Sequence, residues 1–438
     1  MEKYAYEQLG ETLYRTVLPN GLQVQLLPKA GFHKTYALLT TDFGSIDRSF
    51  TPRGQTDAIT IPDGVAHFLE HKMFEKADHD AFDLFGEYGA DANAYTSFTR
   101  TSYLFSASRH LHENLDVLLD FVQDPYFTSA TVNKEKGIIG QEIQMYDDEP
   151  GWQLFMGIIG NLYPTEPVHI DIAGTVDSIA KITAEQLLTT YQTFYHPSNM
   201  NLFVVGAFDP EQVMDWITSN QAGKTFSKPA PISRQPLPET DATEILPYRS
   251  RHLDIVLPKS IVGLRGLDEV PTGRAGLKYS LAATLLLDIL FADTSDTYLK
   301  LYDTGVIDDS FDYDFTLERS FHFLTISSDT PDPNRFSEAI ITELEQSAKT
   351  LATADETFEL VRREAIGHHV MMLNSVEGIA NAYDGQLFDG ANLLDEVAVL
   401  QAMTLQDVRD VAEQLIQSAG ISVFDILPVD DNDSDENS

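Results

Sequence analysis

The stretch GVAHFLEHKMF, residues 64–74, carries two histidines four apart with a glutamate between them: His67-Phe68-Leu69-Glu70-His71. Pro62 and Gly64 make a plausible helix entry, with Asp63 expected as its cap. On a helix, His67 and His71 lie one turn apart and point the same way. Two imidazoles at that spacing can grip one zinc ion. Glu70 adjoins His71 and lies a turn from His67, so it can approach a water on the metal without ligating it. Phe68, Leu69, Met73 and Phe74 predict a helix buried on one side, and buried imidazoles beside a carboxylate need a reason. A short motif of this kind also arises by chance, so the rest of the chain has to decide.

A catalytic zinc takes a third protein ligand and keeps an open position. The best distant candidates lie in NKEKGIIGQEIQMYDDEP, residues 133–150. Glu135 and Glu142 are two turns apart on one helix face, interleaved with Ile138, Ile139, Ile143 and Met145. Carboxylates on or near an apolar face are less ordinary than those of the DDE run that follows, which makes Glu142 the candidate ligand and Glu135 the candidate group that orients a ligand histidine. The alternative for Glu135 is a surface pair with a lysine.

The 438 residues are 43% hydrophobic, enough for more than one core. There is no cysteine, so disulfides and thiolate ligands are excluded and any metal must use His, Asp or Glu. A net charge of −39 argues against nucleic acid or an anionic membrane as partner. It tolerates cationic partners and leaves basic peptides a possible preference. The first residues, MEKYAYEQLGE, do not read as a signal peptide, and a cytoplasmic location is expected.

The fold class expected is α+β: two homologous modules, each a mostly antiparallel sheet with helices packed on one side. KPAPISRQPLPETDATEILP, residues 228–247, reads as a linker. It separates a metal-binding module, 1–227, from a second module, 248–429, with 430–438 a disordered acidic tail. The modules end alike, each with a threonine-capped helix followed by a strand. Thr183 to Thr404 and Leu202 to Val423 are both 221 residues. ETLYRTVLPNGLQVQLLP predicts a hairpin turning at Asn20-Gly21. NSVEGIANAYDG, residues 374–385, reads as the end of one helix and the cap of another, with no evident chemistry.

The motifs GVAHFLEHKMF, GADANAYTSFTRTSYLF, EKGIIGQEIQMYDDEP, YPTEPVHIDIAGTVDSI and FYHPSNMNLFVVG occur in this order. Together they resemble the insulinase, pitrilysin and mitochondrial-processing-peptidase family of inverted-motif zinc peptidases. The resemblance implies a Zn2+ endopeptidase with His67, His71 and Glu142 as ligands, Glu70 as general base and Glu135 behind the ligands. It further implies that peptide substrates run antiparallel along an edge strand at ANAYTS, with Asn93, Ala94 and Tyr95 as contacts. For Tyr95, plain sheet packing is an equal alternative.

The second module departs from the family pattern Leu-Arg-x-x-x-Gly-Leu-x-Tyr. Here LKLYDTGVIDDSFDY aligns Gly305 with the glycine, which puts Leu301 at the arginine and Asp308 at the tyrosine. Lys300 and Tyr313 are near but out of register. This resembles paired bacterial members in which a homologous second subunit supplies the Arg/Tyr pair, a homodimer being less expected. The function expected is cleavage of unfolded oligopeptides in a chamber between such subunits. Two other readings remain: a non-catalytic peptide-binding or scaffold subunit, and a dedicated maturase of one ribosomally made peptide.

Overall fold

The computed structural model describes residues 1–237, 241–269, 271–383, 388 and 390–429. The expected acidic tail, 430–438, lies outside the described residues.

The chain forms two compact units. The first is built on a sheet of β1 (Glu2–Tyr6), β2 (Glu11–Val17), β3 (Gln23–Pro28), β4 (Thr35–Thr41), β7 (Asp91–Thr96), β8 (Thr101–Ala107) and β9 (Met200–Gly206). Their order is β1-β2-β3-β9-β4-β8-β7. Only β3 and β9 pair in parallel. Every residue of β9 (MNLFVVG) is buried, as a mid-sheet strand should be, and its polar Asn201 accepts from the Gln25 side-chain amide at 3.0 Å. A small sheet joins β5 (Ser49–Thr51), β6 (Ile59–Thr60) and β10 (Ser233–Arg234). The β2–β3 hairpin turns where expected. Gly21 has φ 94°, and a Cβ there would lie 2.5 Å from the Ser198 Cβ, so only glycine fits.

The helices of the first unit are α1 (Val65–Phe74), α2 (Ala81–Glu87), α3 (Leu111–Gln123), α4 (Ser129–Asp147, as far as Ile143), α6 (Val176–Ile179), α7 (Ala184–Phe194), α8 (Pro210–Ala222) and α13 (Val376–Ala382). The second unit holds α5 (Pro150–Leu162), α9 (Gly273–Phe291), α10 (Asp296–Asp303), α11 (Pro333–Leu351), α12 (Asp355–Met372), α14 (Leu393–Ala402) and α15 (Leu405–Leu415). Its sheet comprises β11 (Tyr248–Leu253), β12 (Lys259–Arg265), β13 (Asp312–Glu318), β14 (Phe321–Asp329) and β15 (Ile421–Pro428), in the order β11-β15-β12-β14-β13. Among the described residues no single helix is long and apolar enough to cross a membrane.

The two sheets repeat one plan. In each, a parallel pair (β3 with β9, β11 with β15) continues through three antiparallel steps to an edge strand, β7 or β13. Asp91 pairs with Ser106 across β7–β8, and Asp312 with Ser327 across β13–β14, the same register 221 residues on (312 − 91 and 327 − 106). The caps repeat at that interval too. Thr183 with Gln186, and Thr404 with Asp407, each form a reciprocal capping box at the start of α7 and α15.

The units do not follow the division of the chain into 1–227 and 248–429. Residues 144–169 belong to the second unit, and 372–383 to the first. The cause is packing. α5 lies on β12 and β15, where its Asn161 side chain donates to the Val423 carbonyl at 3.0 Å. α13 lies on β4 and β9, where Tyr383 stacks on Phe203 with ring centroids 4.1 Å apart. Each helix covers apolar sheet surface that a contiguous module would leave open.

In the second unit α9 carries neither histidine nor glutamate. Asp288 there accepts a hydrogen bond from the Tyr313 hydroxyl of β13 at 3.0 Å. Burial, and the charge of Glu364, push the Asp288 carboxyl up to about 6. A carboxyl raised above its unfolded value binds more protons folded than unfolded, so its contribution to stability falls as pH rises from about 4 to about 6. Asp288→Asn removes that loss and keeps an acceptor for Tyr313. Its stability advantage over wild type in chemical denaturation should widen from pH 4.5 to pH 7.5, to at most about 3 kcal/mol.

Candidate metal centre

Helix α1 enters from Gly64, whose φ is 87°; a Cβ there would stand 2.4 Å from the Ala173 carbonyl oxygen. The close approach, rather than a side-chain cap, fixes the helix start. Asp63, expected as the cap, makes no such bond. Its carboxylate pairs with Arg48, and its carbonyl accepts from the Ser178 hydroxyl at 3.0 Å. Nine residues of α1 are buried, His67 and Glu70 among them. Even Lys72 is inside, 0% exposed and paired with Glu75.

Opposite, α4 buries Val132, Glu135, Ile139 and Ile143, a stripe at helical spacing. Glu142 stands beside that stripe. His67 Nε2 is 3.6 Å from one Glu142 oxygen, and His71 Nε2 is 3.4 Å from the other. The ligand atoms of His67, His71 and Glu142 lie within 4.8 Å of one another, the one such cluster found among the described residues. Zinc bonds of about 2.0–2.2 Å set neighbouring ligands of a tetrahedron about 3.3–3.6 Å apart. The donor set therefore fits zinc.

Glu135 stands behind His71, accepting from Nδ1–H at 3.1 Å. That bond selects the tautomer with a lone pair on Nε2, the nitrogen that faces Glu142. Burial lowers the basicity of His71, but the Glu135 bond and the charges of Glu70, Glu142 and Glu135 outweigh it, and the ring's pKa is raised. A cation between the rings would meet the same negative field. Nδ1 of His67 is buried with no hydrogen-bond partner among the described residues.

The Glu70 charge acts on the His71 ring, and its carboxylate is held from β7, where the Thr96 hydroxyl donates to Glu70 Oε2 at 2.8 Å. Thr96 was not singled out from the sequence. The signal available was the alternation of ANAYTS, which puts residues 92, 94 and 96 on one face. Ala92 and Ala94 pack against the hydrophobic cluster on that face. Asn93 and Tyr95 point the other way and line a separate cavity, while the Asn93 carbonyl oxygen of the side chain accepts from the Ala94 amide at 2.9 Å. Beneath Glu70, Tyr103 and Tyr195 share a buried hydroxyl pair at 2.8 Å. Burial first, then each other's charge for Tyr103, keeps both phenols protonated.

In the second unit Gly305 has φ 65° and follows α10. Leu301 is 5% exposed, a core residue, and Asp308 accepts from the Ser310 amide at 2.9 Å. Tyr313 is engaged with Asp288.

Residues 60–176 match the family model for insulinase, peptidase family M16, and residues 181–364 match that for the M16 inactive domain. The uncharacterized zinc protease YmfH of Bacillus subtilis is 48% identical over 423 residues, covering 97% of this chain and 98% of that protein. The chain belongs to peptidase family M16. An M16-like protein from Alicyclobacillus acidocaldarius has the same structure at TM-score 0.91 and 37% identity, over 96% of this chain and 99% of that one. A Helicobacter pylori protease shares the fold, with TM-score 0.80 at 18% identity over 95% of this chain and 99% of its own. With the His/His/Glu cluster in place, this M16 chain is a zinc metalloendopeptidase.

Because Glu135 sets the His71 tautomer, Glu135→Ala should weaken zinc binding about 10–100-fold in a chelator competition titration. Glu142→Ala should weaken it further.

Proposed function

We propose that this M16 peptidase cleaves unfolded oligopeptides laid antiparallel along the outer edge of β7. His67, His71 and Glu142 act as its metal ligands, and Glu70 as its base. The observation that supports this best is the convergence of three ligand atoms within 4.8 Å beside Glu70. β7 is the last strand of its sheet, so its outer backbone groups are available to a substrate strand.

Bound zinc supplies a water of lowered pKa and polarises the scissile carbonyl. The chain's own groups do the rest. Thr96 holds Glu70 Oε2, which leaves Oε1 to take the water proton and pass one to the leaving amine. Glu135 keeps His71 in its ligating tautomer. Pairing with β7 fixes the substrate backbone and so its carbonyl.

The oxyanion is the weak point of the isolated chain. At the positions where the family places arginine and tyrosine, this chain has a buried hydrocarbon, Leu301, and a carboxylate, Asp308. Neither stabilises developing negative charge. A homologous subunit that supplies an Arg/Tyr pair, enclosing a chamber that admits only unfolded peptides, completes the reading.

Glu70→Gln should retain zinc at wild-type stoichiometry and lose about 10²–10⁴-fold in kcat on a quenched oligopeptide. Wild-type turnover by Glu70→Gln would remove the base assignment. Thr96→Val should retain zinc and lower kcat about 10-fold, because Glu70 loses its positioning bond. Adding the homologous subunit should raise the rate of this chain; full activity alone, unchanged by that subunit, would refute the shared site.

A further inference from the structure

A cavity of about 510 Å³ opens beside α7, wholly within the first unit. It shares no residue with the metal centre. Four stretches wall it: the turn between β5 and β6, the end of α3, the second half of α7 with the residues after it, and the segment that follows α8.

Arg53, in the β5–β6 turn, is the one lysine or arginine that lines the cavity, and no carboxylate lines it. Carbonyls hold the guanidinium in place. Nε donates to the Thr193 carbonyl at 2.9 Å, and Nη1 to the Ala230 carbonyl at 3.1 Å. The remaining nitrogen, Nη2, is buried with no hydrogen-bond partner, and none of the ion pairs among the described residues involves Arg53. Acidic side chains outnumber basic ones 68 to 29 in this chain, so composition alone would have given this arginine a carboxylate. His196 adds no charge. Its Nδ1 accepts from the Ser198 amide at 3.1 Å and its Nε2–H donates to the Ser227 carbonyl at 2.9 Å, which fixes a neutral tautomer.

The floor is aromatic. Tyr191 and Tyr195 stack with ring centroids 5.0 Å apart. Their hydroxyls are committed elsewhere, Tyr191 to the Val122 carbonyl at 3.0 Å and Tyr195 to Tyr103 at 2.8 Å. The two residues therefore offer the cavity hydrocarbon rather than donors. Phe226 adds a third ring from the segment after α8, which His196 and Arg53 tie down through Ser227 and Ala230. Gln192 stands exposed at the rim.

A ligand matched to these walls combines an apolar body with a single negative charge. A phosphate or polyanion would bring more charge than one guanidinium nitrogen can answer, whereas a carboxylate balances it. We infer that this cavity is a second binding site, apart from the metal, for a small monocarboxylate with an aromatic or branched aliphatic body. The carboxylate accepts from Arg53 Nη2, and the body lies against Tyr191, Tyr195 and Phe226. Amide hydrolysis consumes one water and releases one carboxylate and one amine, so the peptidase's own turnover makes short peptides of this class. The site depends neither on the β7 edge nor on the substrate reading proposed above.

Isothermal titration calorimetry of the zinc-loaded protein with N-acetylphenylalanine and with N-acetylphenylalaninamide compares one body with and without the charge. The acid should bind about 10-fold more tightly than the amide. Gln192→Glu adds a carboxylate at the rim and leaves the carbonyl bonds of Arg53 in place, and it should abolish that preference. Gln192→Lys should increase it, and Arg53→Gln should abolish it. Equal affinities for acid and amide, or binding of neither, would overturn the assignment. An acid bound to the zinc instead would keep its preference in all three variants, and that result would overturn it too.

Discussion

The structure depends on how closely α1 is pressed into the first unit. Gly64 passes so near Ala173 that a methyl group would collide, and nine residues of the helix are then buried. The His67 imidazole and the Glu70 carboxylate are carried inside with the hydrocarbon, and His71 is half-buried beside them. Such groups are costly to bury without partners. Here α4 meets them with Glu135 and Glu142 on one face, and β7 meets Glu70 with Thr96. The two histidines are answered from α4 and Glu70 from β7, so the site's geometry depends on how α1, α4 and β7 pack together.

The second unit shows what the same plan gives without those groups. Its sheet has the same order and the same register at the edge, and α9 is buried like α1. Yet α9 offers leucines and alanines where a metal site would need donors, and its lone carboxylate, Asp288, is satisfied by a tyrosine. Residues 181–364, which include α9, match the M16 inactive-domain model. Duplication supplied two scaffolds, and only one carries the chemistry. The exchange of α5 and α13 between units means that a helix from the end of the chain helps build the first unit, which is how Glu377 comes to lie beside β7.

Much of this was legible in the sequence, because local spacing carried it. His67 and His71 are one turn apart and Glu135 and Glu142 two turns apart, and helix geometry alone puts each pair on one face. The caps at Thr183 and Thr404 and their common interval displayed the repeat. What escaped was set by contacts remote in sequence. Asp63 looked like a cap, but a left-handed glycine and Arg48 decide that turn. Thr96 meets Glu70 only because β7 packs on α1. Residues 374–385 showed a boundary between two helices and nothing of the sheet that α13 covers. The division of the chain at 228–247 followed its prolines, while the units followed apolar surface.

X-ray absorption at the zinc edge tests the central claim most directly. Zinc-loaded protein should show two imidazoles with the remaining ligands oxygen, falling to one imidazole in His71→Ala. A spectrum with no imidazole contribution, or one unchanged by His71→Ala, would contradict a metal held between α1 and α4.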